Sequence, residues 1–175
     1  HTRMAWTGTE VLVWGGYNGG YLDSGGRYTP STDTWQPMTQ TGAPAGRYLH
    51  AAVWTGSALL VWGGNAGGSS FLATGGRYDP AADAWSPIST VNAPSARYAL
   101  TATWTGSEMV VWGGVGAGPS YPVSGGRYAP ATDTWTATST VNAPIGRANA
   151  TAVWAGDRVI VWGGTAGFDT GTGGV

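Results

Sequence analysis

No cysteine and no lysine occur among the 175 residues, and histidine occurs only at His1 and His50. Without thiols there are no disulfides and no thiolate metal sites, and two imidazoles are a thin supply for a metal centre or a catalytic base. No metal or other cofactor is therefore expected. Charge of either sign is sparse: acidic and basic residues make up 10% of the chain, and the formal net charge is -1. A nucleic acid or an anionic membrane needs a concentrated basic face, so neither is expected as a partner. No stretch approaches the roughly 20 apolar residues of a membrane span, which excludes insertion by an apolar helix. No basic-then-apolar leader opens the sequence either. Scarce charge, absent lysine and abundant tryptophan and threonine suggest a bacterial protein of the extracellular space or cell envelope, its signal peptide lying upstream of these residues.

What is present is glycine, 31 residues of it, with 11 tryptophans and a 42% hydrophobic content sufficient for a core. Few helix formers beside many Gly, Thr, Val and Trp point to an all-β chain with tight turns. The tryptophans are not scattered. Trp-Gly-Gly recurs at Trp14, Trp62, Trp112 and Trp162, at spacings of 48, 50 and 50 residues. Gly-Gly-Arg-Tyr recurs at Gly25 to Tyr28, Gly75 to Tyr78 and Gly125 to Tyr128, and Trp35, Trp85 and Trp135 follow seven residues after each Tyr. Ala-Pro-x-x-Arg recurs at Ala43 to Arg47, Ala93 to Arg97 and Ala143 to Arg147. The remaining indoles, Trp6, Trp54, Trp104 and Trp154, form a third equivalent set, so none is left over as a private functional residue. A fixed period of this length marks a repeat architecture, divided here into units 1–46, 47–96, 97–146 and a partial 147–175.

Each unit reads as four short strands, A to D. In the second, Leu49 to Thr55 is strand A, Thr55-Gly56-Ser57 a tight turn, and Ala58 to Gly63 strand B. Beyond a Gly/Ser-rich loop come strand C at Gly76 to Asp79, a turn at Pro80 to Asp83, and strand D at Ala84 to Ile88. The strands lack clean in/out alternation, as expected where neighbouring sheets cover both faces.

The Arg-x-x-His of Arg47 to His50, the Gly-Gly after an apolar strand, the Tyr-Asp-Pro of Tyr78 to Pro80 and the following Trp85 resemble the kelch repeat, and the resemblance spans essentially the whole chain. Leu100 and Ala150 stand at the His position in later units, a departure from that pattern. The resemblance implies an all-β propeller of four-stranded antiparallel blades packed radially with strand A innermost, similar to the central domain of galactose oxidase. Such rings take about four to eight blades. The chain supplies strands A to D three times and then A and B of a fourth, with Gly173-Gly174-Val175 matching the opening of strand C. About 3.5 blades make an open arc or part of a larger ring of about seven blades. Two copies carry the strands of such a ring, yet the junction between copies would lack a C–D pair. Further blades of the same protein, or self-association, are therefore expected.

In an antiparallel meander the B-to-C and D-to-A connections share one face, and loops on a rigid scaffold are where function concentrates. That face carries Tyr17, Tyr21, Phe71 and Tyr121 in the B-to-C loops and the segments leading to Arg47, Arg97 and Arg147. As a surface it would offer aromatic platforms and guanidinium forks for a protein or carbohydrate ligand. The competing reading is that an arginine repeated in every unit locks adjacent blades together. For Arg27, Arg77 and Arg127 in strand C, the structural reading pairs them with Asp33, Asp83 and Asp133, unless the nearby tyrosines hold those aspartates.

Galactose-oxidase-like copper chemistry, which the resemblance raises, requires a cysteine and several histidines. A sialate-mutarotase-like acid/base site would need a carboxylate beside an arginine at the central face. Glu10 and Glu108 instead begin strand B, on the opposite face. The expectation is a non-enzymatic binding or scaffold propeller, with a self-assembling structural repeat as the alternative and a metal-free mutarotase-like enzyme behind both.

Overall fold

The computed structural model describes residues 2–118 and 120–175; His1, and Pro119 within the third B-to-C loop, lie outside the described residues. The first unit forms β1 (Arg3–Trp6), β2 (Val11–Trp14), β3 (Gly25–Thr29) and β4 (Thr34–Pro37). The second forms β5 (Ala51–Trp54), β6 (Leu59–Trp62), β7 (Gly75–Asp79) and β8 (Ala84–Pro87). The third forms β9 (Thr101–Trp104), β10 (Met109–Trp112), β11 (Gly125–Ala129) and β12 (Thr134–Ala137). The fourth holds β13 (Thr151–Trp154), β14 (Val159–Trp162) and a short β15 (Gly173–Gly174), so the half blade carries the start of a third strand. The described residues contain no helix.

Every sheet is an antiparallel meander in sequence order. The A-to-B turn closes on a Thr-Gly pair. Thr55 N–H donates to the Ala58 carbonyl at 3.0 Å while the Thr55 hydroxyl accepts from the Ala58 N–H at 2.9 Å. Gly56 supplies the φ of 98° that the turn requires. At the C-to-D turn Asp83 takes a positive φ of 46°, and its carboxylate accepts from the Tyr78 hydroxyl at 2.6 Å. The same bond recurs from Tyr28 to Asp33 and from Tyr128 to Asp133. Tyrosine, not arginine, therefore holds the turn aspartate in each of the first three blades. Arg27 instead pairs with Glu10 at 2.9 Å, and Arg127 reaches Glu108 at 3.7 Å.

Strand A is innermost: β1 packs on β5, β5 on β9 and β9 on β13. Two apolar clusters fill the wedges between blades. Leu12, Trp14 and Met38 of the first sheet meet Leu59, Val61, Tyr78 and Trp85 of the second. Ala51, Val53, Leu60, Trp62 and Ile88 of the second meet Leu100, Met109, Val111, Tyr128 and Trp135 of the third. At the first two junctions a Trp of strand B meets a Trp of strand D on the next blade: Trp14 with Trp85 and Trp62 with Trp135, both with ring centroids 5.2 Å apart. An indole buried this way removes about 200 Å² from water, a contribution of a few kcal/mol.

This packing explains the missing alternation. Strands β6 and β10 have a blade on either side and are buried at every position. In β2, at one end of the arc, Leu12 and Trp14 are buried while Val11 and Val13 are only half-buried. At the other end Val161 is buried, but Ile160 and Trp162 face outward. Met4, Trp6 and Trp35 are likewise exposed on the outer face of the first blade. Among the B strands the period of two is thus present only where the described residues supply a neighbour on one side.

Candidate recognition face

The Gly-Gly pair after strand B lets two blades meet at the loop face. Gly63 and Gly64 have φ of 69° and 103°, and a Cβ on Gly63 would lie 2.9 Å from the Arg97 carbonyl. Gly64 N–H donates to that same carbonyl at 2.9 Å, and Gly16 and Gly114 repeat the bond to Arg47 and Arg147. A side chain here would both strain the backbone and separate the blades.

The three arginines lie inside this junction. Arg47, Arg97 and Arg147 are 1%, 1% and 2% exposed. Arg47 donates from Nη1 to the carbonyls of Gly63 at 3.0 Å and Thr74 at 2.7 Å, and from Nε to Ala45 at 2.9 Å. Arg97 does the same to Gly113, Ser124 and Ser95, and Arg147 to Gly163, Thr172 and Ile145. The backbone of residue 47 is bonded to Leu22 and Gly16 of the first blade, while its side chain grips the second. Burial pushes the Arg47 guanidinium down to about 10, still well above neutrality, so the charge is kept and spread over carbonyl dipoles. The exposed guanidinium forks expected on this face are accordingly absent from it, because strand-end carbonyls have claimed their donors.

The aromatics do reach the face. Tyr17 is 52% and Tyr21 37% exposed, with ring centroids 5.2 Å apart in an edge-on arrangement. Tyr48 completes a triad, 5.9 Å from Tyr17 and 5.6 Å from Tyr21. Phe71 pairs with Tyr98 at 4.8 Å. Tyr121 is half-buried in the third loop, where Ala148 stands at the position of Tyr48 and Tyr98. Phe168, on the fourth loop, is 65% exposed. Two-stranded bridges hold these rings in place: Tyr48 with Asn65, Asn65 with Phe71, and Tyr98 with Val115.

Tyr48, Tyr98 and Phe168 are additions to the aromatics expected from sequence. The signal for the first two was the Arg-Tyr dipeptide at 47–48 and 97–98, whose tyrosine is half-buried beside the loop aromatics while the preceding arginine turns inward.

Between the innermost strands runs a cavity of about 240 Å³, lined chiefly by alanine and threonine, with Arg3 the one charged residue on its wall among the described residues. Arg3 donates to the His50 carbonyl at 3.0 Å. Glu10 is bound instead by Arg27 and Thr29 at the opposite face.

Four-stranded meanders packed radially, with tryptophans in the wedges and aromatic loops on one face, define a β-propeller of the repeat type. The chain belongs to the kelch-repeat family: residues 1–172 match the KLHDC2/KLHL20/DRC7 Kelch-repeats domain. A search of curated proteins gave no match.

Proposed function

We propose that this arc of blades is a protein-recognition scaffold whose loop face binds an extended segment of its partner. The observation that carries the reading is the triad of Tyr17, Tyr21 and Tyr48, assembled from two blades and open to solvent at Tyr17. Packed rings joined to rigid strand ends offer contact area at little conformational cost, and a phenol edge gives each ring a polar handle. Kelch propellers generally mediate protein interactions, which supports a protein partner over a sugar.

The test is selection of a displayed random-peptide library on the chain, followed by counter-selection on Tyr17→Ser and Tyr21→Ser variants. Enriched peptides should lose binding to both variants and keep it with Trp35→Ser, an exposed site on the outer face of the first blade. Peptides indifferent to the tyrosines, or a neutral oligosaccharide array giving the only tyrosine-dependent signal, would overturn the reading.

A further inference from the structure

Asn18 and Gly19 form the tip of the first B-to-C loop, between Tyr17 and Tyr21, whose backbones pair across it. Both residues are exposed. The Asn18 N–H donates to the Gly20 carbonyl at 3.1 Å, but the Asn18 side-chain amide and the Gly19 N–H make no hydrogen bond among the described residues. Gly19 has a φ of 72°, and no atom lies within 4 Å of where a Cβ would stand on it or on Gly20, so the space around the tip is open. This exposure belongs to the loop and not to the place of its blade. Gly68, Ser69 and Ser70 at the tip of the second loop, which has a sheet on either side, are exposed as well.

The other asparagines, Asn65, Asn92, Asn142 and Asn149, lack this combination, and each is followed by alanine. The N–H groups of Ala66, Ala93 and Ala143 donate to the carbonyls of Ser70, Thr90 and Thr140 at 3.0, 3.3 and 3.4 Å. The Asn65 side chain is also buried, donating to the Gly68 carbonyl at 3.1 Å and accepting from the Gly67 N–H at 2.6 Å. Asn149 is exposed, but the Ala150 nitrogen after it is crowded by Gly164, 2.9 Å from where a Cβ on that glycine would stand. Among the described residues, only Asn18 has a free carboxamide beside an unbonded backbone nitrogen on a residue without a side chain.

We propose that Asn18 is a site of spontaneous covalent modification, at which its carboxamide becomes a carboxylate on the loop face. The Gly19 nitrogen, giving its proton to solvent base, attacks Cγ of Asn18; the N–Cγ bond forms, the Cγ–Nδ2 bond breaks, and Nδ2 leaves as ammonia. The nucleophile is already tethered beside its target, and glycine has no Cβ to obstruct the approach. Solvent water then opens the five-membered imide. Addition at Cγ gives aspartate, and addition at the Asn18 backbone carbonyl carbon gives isoaspartate, in which the main chain runs through the side chain. One water is consumed and one ammonia released, with no change of oxidation state. Either product places a negative charge between two tyrosines, and Arg47 cannot pair with it, being buried and bonded to carbonyls. Isoaspartate also adds a methylene to the backbone of a loop closed by the Tyr17–Tyr21 bridge, which displaces the two rings from their 5.2 Å packing. That the change weakens capture of a partner rests on the recognition reading above; the chemical conversion does not.

With no lysine in the chain, trypsin cleaves only at arginine and places each asparagine on a separate peptide, Asn18 on residues 4–27. Freshly purified protein is held in mildly alkaline buffer and digested at intervals. Residues 4–27 should gain the mass of NH2 replaced by OH about tenfold or more faster than any other asparagine-bearing peptide, and should accept methyl groups from an isoaspartyl methyltransferase. Asn18→Gln, which would have to close a six-membered imide, should do neither. The ring NMR signals of Tyr17 and Tyr21 should shift in the aged parent and stay in place in the aged glutamine variant. Conversion of residues 4–27 no faster than of residues 78–97, or unshifted tyrosine rings in fully converted protein, would overturn the proposal. Peptides that depend on Tyr17 and Tyr21 should bind the aged protein about threefold or more weakly than the fresh. Equal binding to both would overturn the effect of Asn18 on the face, whereas finding no such peptides with fresh protein counts against the recognition reading alone.

Discussion

Arg47 donates to the Gly63 carbonyl at 3.0 Å from inside the junction of the first two blades, and its backbone belongs to one blade while its guanidinium serves the other. A residue repeated on a loop face is in this way a clamp. Its guanidinium fork matches the carbonyls of Ala45, Gly63 and Thr74, which burial would otherwise leave unpaired.

Replacing Arg47 with Met should therefore destabilise the fold by about 3 kcal/mol, since the carbonyls of Gly63, Thr74 and Ala45 lose their donor. Arg47→Lys keeps the charge but not the fork and should recover less than half. Urea unfolding monitored by tryptophan fluorescence measures both. A Met variant within about 0.5 kcal/mol of the parent would show that the clamp contributes nothing net.

Trp35 and Trp85 hold the same repeat position, yet the first is 60% exposed and the second 9%. Trp85 stacks on Trp14 and donates its indole N–H to the Thr39 carbonyl at 3.0 Å. Trp85→Ala should cost about 3–5 kcal/mol and Trp35→Ala less than about 1. Equal losses in denaturant titrations would mean that the indole's value lies within its own blade, in its contact with Tyr28 or Tyr78, and not in the wedge.

How far the sequence carries is visible in these same residues. Strand order, turn chemistry and the inward Trp set follow from spacing, because a fixed period repeats one local solution; in the second unit strand D begins at Ala84 as expected and ends one residue early, at Pro87. Burial of Arg47, and the partnership of Tyr78 rather than Arg77 with Asp83, do not follow from spacing. Both depend on which way a side chain leaves a strand end and on what the next blade presents there. The aromatic face was legible only in part for the same reason: Tyr48 sits beside a buried arginine in sequence and beside Tyr17 and Tyr21 in space.

His50 is fully buried against the Trp14 ring, 5.4 Å between centroids, and neither ring nitrogen has a well-formed hydrogen bond. Burial pushes the imidazole down to about 3, with the charges of Arg47 and Arg3 acting in the same direction. An unfolded histidine titrates near 6.5, so between those values the unfolded chain binds a proton that the folded one excludes. This contribution to stability is complete above about pH 6.5 and should fall by about 1.4 kcal/mol per pH unit on acidification toward 3. His50→Leu, which places in the second blade the residue that Leu100 supplies in the third, should remove that slope. Unfolding midpoints of the two proteins compared from neutral pH to 4 decide it, and parallel profiles would refute the assignment.

Asp83 joins two blades through one oxygen, accepting from the Tyr78 hydroxyl at 2.6 Å and from the Thr39 N–H of the preceding blade at 3.0 Å. Asp33, its equivalent in the first blade, accepts from Tyr28 at 2.8 Å and makes no bond to a second blade among the described residues. The tyrosine bond first, and the Thr39 amide second, hold the Asp83 carboxyl below its usual range. For an acid with a depressed folded value, the stabilisation is present above the ordinary carboxylate range near 4 and is lost as the pH falls through the lower folded value. Both positions also adopt positive φ, 46° at Asp83 and 51° at Asp33, so substitution by Asn isolates the charge without altering the backbone preference. Asp83→Asn should destabilise by about 1 kcal/mol more than Asp33→Asn at pH 7, because only the former weakens a bond between blades. That difference should close in acid, as the pH falls through the lowered folded value of Asp83 and its carboxyl takes up a proton. A gap that persists in acid would assign the effect to side-chain packing instead of the charge-assisted bond to Thr39.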